Sequence, residues 1–236
     1  MGDEAMRDGD VGNGDVRDAG LPGRLLAAER EQLMPMLRRA PDEDFALPTA
    51  ACPGWTVRQV LAHCAAALVR IVENRLEPGV FSDASNAADV AERDGWPLTA
   101  VLDELEHGFT AAGPVIAGHE HGLLDTVALG EWVHAGDVRE AWGEPGAYAG
   151  ETAGEALALL SLAARRKGTP LLHATLTDRP GPAWTFGVPV GDGRAPARLT
   201  ADTPTLFRLY ADRPLSGARY TLTGAREAEL HLYSQG

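Results

Sequence analysis

The pattern of apolar residues changes character at Gly168, and that change limits the chain to a helical part followed by a part built with strands. From Pro22 to Arg39, Leu25, Leu26, Leu33 and Leu37 recur at helical spacing with Glu and Arg between them, and the run stops before Pro41. A second helix is marked by Thr56, a suitable N-cap, and by VRQVLAHCAAALVRIVENRL, which reaches Pro78 without a breaker. Its Val57, Val60, Leu61, Cys64, Leu68, Ile71 and Val72 form a broad apolar stripe, so it should be mostly buried. Residues 79–96 are polar and irregular and read as a loop. A third helix should start near Pro97, a fourth should span roughly Leu123 to Trp142, and a fifth, Glu151 to Lys167, should close at Gly168.

Beyond Thr169, the segments LLHATLTD, PAWTFGVPV and ARYTLTG have the β-branched and aromatic content of short strands, and TPTLFRLYADR suits one short helix. Helices followed by strands predict an α+β chain. The expected division is an acidic disordered tail over 1–20, a helical bundle over 21–169 and a small α+β domain over 170–236.

Composition narrows the function. With 236 residues, 44% of them hydrophobic and 23% charged, the chain can bury a substantial core. The net charge is −13, with a single lysine, Lys167, which argues against nucleic acid, because phosphate binding needs a positive patch. No apolar run approaches the roughly 20 residues of a membrane-spanning helix. The N-terminal segment has no apolar stretch for a signal peptide, and Met6 stands where myristoylation requires Ser or Thr. A cytoplasmic protein with small-molecule partners is expected, as a monomer or homodimer. Two cysteines cannot make a disulfide framework: Cys64 falls in an apolar helix as a core residue, whereas Cys52, before Pro53 at a helix entry, is the more accessible.

A helical bundle can host a metal where His and carboxylate side chains from facing helices converge. His63 lies on or beside the buried stripe of the second helix. His134 lies in the fourth, with Glu131 three residues before it and Asp137 three after, so that the three share one side of that helix. A His/Glu/His set with an open position is typical of catalytic zinc. Lone buried histidines are more often satisfied core residues, and Glu131 and Asp137 near Arg139 could equally form a solvated face. His107, His119, His121, His173 and His231 read as structural or surface residues.

CPGWTVRQVLAH resembles the signature of the mycothiol-dependent maleylpyruvate isomerase N-terminal domain, within the DinB-like four-helix-bundle superfamily. In that family a Trp opens the second helix and a His seven to eight residues later binds the metal, a pattern Trp55 and His63 fit. The resemblance implies further ligands from a later helix, an acid and a His four apart with an Asp three residues beyond, and VHAGDVREAWG matches the His and Asp as His134 and Asp137. It also implies a small C-terminal α+β domain. The departure is at the acid: Gly130 stands four before His134, and the nearest carboxylate, Glu131, is turned by about 100° around the helix. The site is then intact through Glu131, reduced to two histidines and waters, or lost. The family further implies an Arg reaching toward the metal to hold a carboxylate, and LYADRPLSGARY offers Arg213, the preferred one, and Arg219.

The resemblance implies a thiol-dependent metalloenzyme, in which a divalent metal such as zinc holds mycothiol as a thiolate that adds to a small electrophile. Release of the thiol after bond rotation gives an isomerase, and retention gives an S-transferase. A binding or regulatory protein with a degenerate metal site is the alternative, as is a metal-dependent lyase or hydrolase that uses water in place of a thiol.

Overall fold

The structure, a computed structural model, describes residues 17–191 and 193–233. Six helices come first: α1 (Leu21–Leu37), α2 (Val57–Val72), α3 (Asp83–Arg93), α4 (Leu98–Gly118), α5 (Asp125–Ala141) and α6 (Ala153–Lys167). Strands β1 (Leu172–Leu176), β2 (Trp184–Phe186) and β3 (Ala197–Ala201) follow, then α7 (Thr203–Ala211) and β4 (Thr221–Thr223). The expected change of character at Gly168 is observed, and Gly168 takes the left-handed conformation (φ 74°) that stops α6.

The bundle is a ring of four. α2 packs along α4, α4 along α1, α1 along α5, and α5 back against α2. α2 starts where its sequence says: the Thr56 side chain accepts from the Gln59 amide while the Gln59 side chain accepts from the Thr56 amide, a complete capping box. It ends sooner than its apolar pattern implies, because Glu73 caps it and Asn74 turns left-handed (φ 54°).

At Gly108, α4 lies against α2 so closely that a Cβ would sit 2.5 Å from Leu68 Cβ, an atom fixed to the α2 backbone. Gly108→Ala should therefore lower stability by about 1–3 kcal/mol through forced separation of the two helices, read as a lower midpoint of thermal or denaturant unfolding.

Two elements differ from expectation. Residues 83–93, read as loop, form α3: Ser82 Oγ accepts from the Ser85 amide to cap it. Its inward face is held by ion pairs in place of a leucine stripe. Asp89 accepts from Arg70, at 2.6 Å from Nη2, and Arg93 donates to Glu104 from both Nε and Nη2. The other is β3, which lies at the centre of a four-stranded sheet of order β2-β1-β3-β4. It runs parallel to β1, while β2 and β4 are antiparallel to their neighbours.

The expected tail over residues 1–20 lies outside the described residues up to position 16. Positions 17–20 are ordered, with the Arg17 guanidinium donating to both Asp125 oxygens. The hydrophobic core is continuous from bundle to sheet. The Trp132 ring of α5 packs at a 48° tilt against Phe207 of α7 with ring centroids 4.5 Å apart, which holds α7 against the bundle.

Candidate metal centre

A cavity of about 640 Å³ opens between the start of α2, the start of α3, α5 and the end of α7. His63, Glu131, His134 and Arg213 all line it. α2 supplies His63, buried and packed against Trp55 with ring centroids 5.4 Å apart. The His63 and His134 rings meet edge to face at 5.2 Å. The turn before α2 is folded back on itself, with the Thr49 hydroxyl donating to the carbonyls of Cys52 and Trp55. That turn places Cys52 at the cavity wall.

Asp137, one turn beyond His134, is fully buried and is the hub of the site. Its Oδ2 lies 2.9 Å from His134 Nδ1, and the Arg213 fork donates to it through Nε (3.0 Å) and Nη2 (2.8 Å). The Tyr148 hydroxyl adds a fourth bond at 2.7 Å. Gly136 makes this possible, since a Cβ there would meet the Tyr148 ring at 2.5 Å. A further layer stands behind: Arg208 donates to Glu140 at 2.6 Å and lies over the Tyr148 ring at 4.7 Å.

These contacts set the charges. Burial would raise the Asp137 pKa, but the His134 bond and the Arg213 charge outweigh it and hold the carboxyl at about 2. Burial opposes charging His134, yet the hydrogen bond to Asp137 wins and lifts it to about 10. His63 has no such partner, so burial, with the nearby His134 and Arg213, lowers it to about 3. Burial raises Glu131 to about 7 against the pull of His134 and a hydrogen bond from Cys64. Burial works against the Arg213 charge too, and Asp137 more than offsets it, raising its pKa.

The donor set suits a divalent cation. Glu131 Oε2 and His63 Nδ1 are buried without a hydrogen-bond partner, an arrangement that is costly unless something else satisfies them. Because Asp137 takes Nδ1 of His134, the opposite ring nitrogen is left for a ligand, the arrangement by which a carboxylate orients a metal-binding imidazole. The described residues whose ligand atoms lie within 4.8 Å of one another are a different group, Cys52, His134 and Asp137. Cys52 Sγ is 3.9 Å from His134 Nδ1 and 3.5 Å from Asp137 Oδ2. In that group Asp137 is already saturated by four donors, so the geometry reads better as a hydrogen-bonded cluster.

Of the two arginines drawn from LYADRPLSGARY, Arg213 reaches the cavity and Arg219 is exposed and does not line it. Arg213 donates to Asp137 through Nε and Nη2 and to the Ala211 carbonyl through Nη1, which uses three of its five N–H groups. Tyr148, Asn86 and Tyr233 were not among the sequence candidates. Nothing in their local spacing marks them, since each reaches the site from a loop, an unforeseen helix or the chain's end.

Comparison with known proteins agrees with this architecture. Residues 26–118 match the family model of the mycothiol maleylpyruvate isomerase N-terminal domain. No curated protein sequence matches the chain. Two solved structures share the fold, those of the mycothiol-dependent maleylpyruvate isomerase and of a mutant with one histidine changed to alanine. Each gives a TM-score of 0.54 at 14% identity over 89% of this chain and 95% of the other. Among the described residues, no helix is long and apolar enough to cross a membrane. The chain thus matches the mycothiol maleylpyruvate isomerase N-terminal domain over residues 26–118 and shares, over 89% of its length, the fold of the mycothiol-dependent maleylpyruvate isomerase.

Proposed function

We propose that this chain is a cytoplasmic thiol-dependent metalloenzyme, a mycothiol-dependent isomerase or thiol S-transferase acting on a small electrophile in the cavity between α2, α3, α5 and α7. The observation that carries this reading is that one cavity is lined by two residues with buried, unpartnered ligand atoms, His63 and Glu131, and by an imidazole that Asp137 has already oriented. His63, Glu131 and His134 would hold the ion. When bound, a zinc-like cation supplies the Lewis acidity that lowers a thiol's pKa and presents a nucleophile at neutral pH.

The protein's own groups prepare that site. Asp137 fixes the His134 tautomer, and Arg213 neutralises Asp137 so that a single buried carboxylate, Glu131, remains to balance an incoming cation. Trp55 packs on His63 and keeps water from one side of the ring. The cavity is large enough to hold a thiol and a small substrate together.

Protein purified without chelator should carry a stoichiometric divalent ion, measured by elemental analysis. Mycothiol should then bind saturably to the metal-loaded protein and not to the stripped protein in calorimetric titration. Protein that stays metal-free after zinc supplementation, or that binds mycothiol equally in both forms, would overturn this function.

A further inference from the structure

The departure at position 130 has a physical counterpart. Tyr233 is 40% exposed overall, yet its hydroxyl turns inward over Gly130, where a Cβ would lie 3.7 Å from it. The phenol shares the cavity wall with His63, Glu131, His134 and Arg213. Its approach is anchored. Leu230 is fully buried, the Leu232 amide donates to the Tyr210 carbonyl at 2.8 Å, and His231 Nδ1 lies 3.4 Å from Asp212. Among the described residues the hydroxyl makes no hydrogen bond. A donor held in place at a cavity wall with no acceptor among the described residues is placed for a ligand.

We propose that Tyr233 is a substrate-contacting residue whose hydroxyl, admitted by the missing side chain at Gly130, donates to a carboxylate or carbonyl oxygen of the electrophile. Burial, with Asp137 and Glu131 outweighing the opposing charge of Arg213, holds the phenol at about 12, so it is a donor across the physiological range. The acceptor class follows from the proposed metal site, since a bound cation beside the hydroxyl favours an oxygen carrying negative charge at this end of the cavity. The inference rests on the function proposed above, and its test separates the two.

Maleate, a cis-unsaturated dicarboxylate, serves as a non-reacting probe, titrated calorimetrically into zinc-loaded protein. Tyr233→Phe should weaken maleate binding about tenfold or more, the loss expected of a hydrogen bond to a charged acceptor. Metal content and the mycothiol titration should stay as in the unmodified protein. Gly130→Val, which fills the space under the hydroxyl, should reproduce the loss with the phenol retained. Unchanged maleate affinity in Tyr233→Phe overturns the role, and failure of the unmodified loaded protein to bind maleate overturns the acceptor class. Loss of metal or thiol binding in the unmodified protein would instead indict the function itself.

Discussion

Asp137→Asn is expected to destabilise the fold by about 3–5 kcal/mol and to weaken metal binding about 10- to 100-fold. The first effect comes from the Arg213 guanidinium, which is nearly buried and has Asp137 as its ion-pair partner. Replacing the carboxylate with an amide leaves that charge uncompensated and offers one acceptor where four donors converge. The second effect comes from His134, whose ring loses the acceptor that fixes its tautomer. Chemical denaturation reads the first and metal titration the second. Because the Asp137 pKa is depressed to about 2 from an ordinary value near 3.9, its contribution is complete above about pH 4 and is lost as pH falls toward 2. The stability gap between the two proteins should therefore narrow below pH 4.

A double variant separates the two effects. Asp137→Asn combined with Arg213→Met removes both charges, so much of the stability should return, while metal affinity should stay low because His134 still lacks its orienting carboxylate. Recovery of both together would show that Asp137 acts on the metal only by holding the fold.

The residues behind these predictions were unequally legible in the chain. The helical spacing around His63 and the i, i+3 series Glu131, His134, Asp137 were visible, because a regular helix converts spacing into a shared face. The partners of Asp137 were not. Tyr148 reaches it from a loop in a left-handed backbone conformation (φ 58°), and Arg213 comes from beyond α7. Proximity of that kind is tertiary and leaves no period. α3 escaped notice because apolar periodicity is blind to a helix whose inner face is Asp89 and Arg93. β3 escaped because Ala197, Leu199 and Ala201 alternate correctly, but two of the three are alanines, poor strand formers whose burial is earned only by the neighbours on either side. Arg213 is preferred over Arg219 in the sequence, and the reason it reaches the site is tertiary: α7 ends in a left-handed Asp212, which turns Arg213 toward the bundle.

Glu131→Gln should weaken metal binding strongly, leave the fold intact, and change the pH dependence of what binding remains. Metal ligands must be deprotonated, so an ion displaces whatever protons its ligands carry. His63, with a pKa of about 3, carries none near neutrality, His134 at about 10 carries one, and Glu131 at about 7 carries one only in acid. Metal affinity should thus rise about tenfold per pH unit around pH 8–9 and about a hundredfold per unit below pH 6, where two protons are displaced. In Glu131→Gln the steeper acid limb should flatten to about tenfold, because the amide has no proton to lose. Cys52→Ala should alter neither slope nor affinity if the sulfur belongs to the hydrogen-bonded cluster around Asp137. The opposite pattern, in which Cys52→Ala loses the ion and Glu131→Gln keeps it with both limbs unchanged, would move the ion to Cys52, His134 and Asp137, the group of described residues whose ligand atoms lie within 4.8 Å of one another.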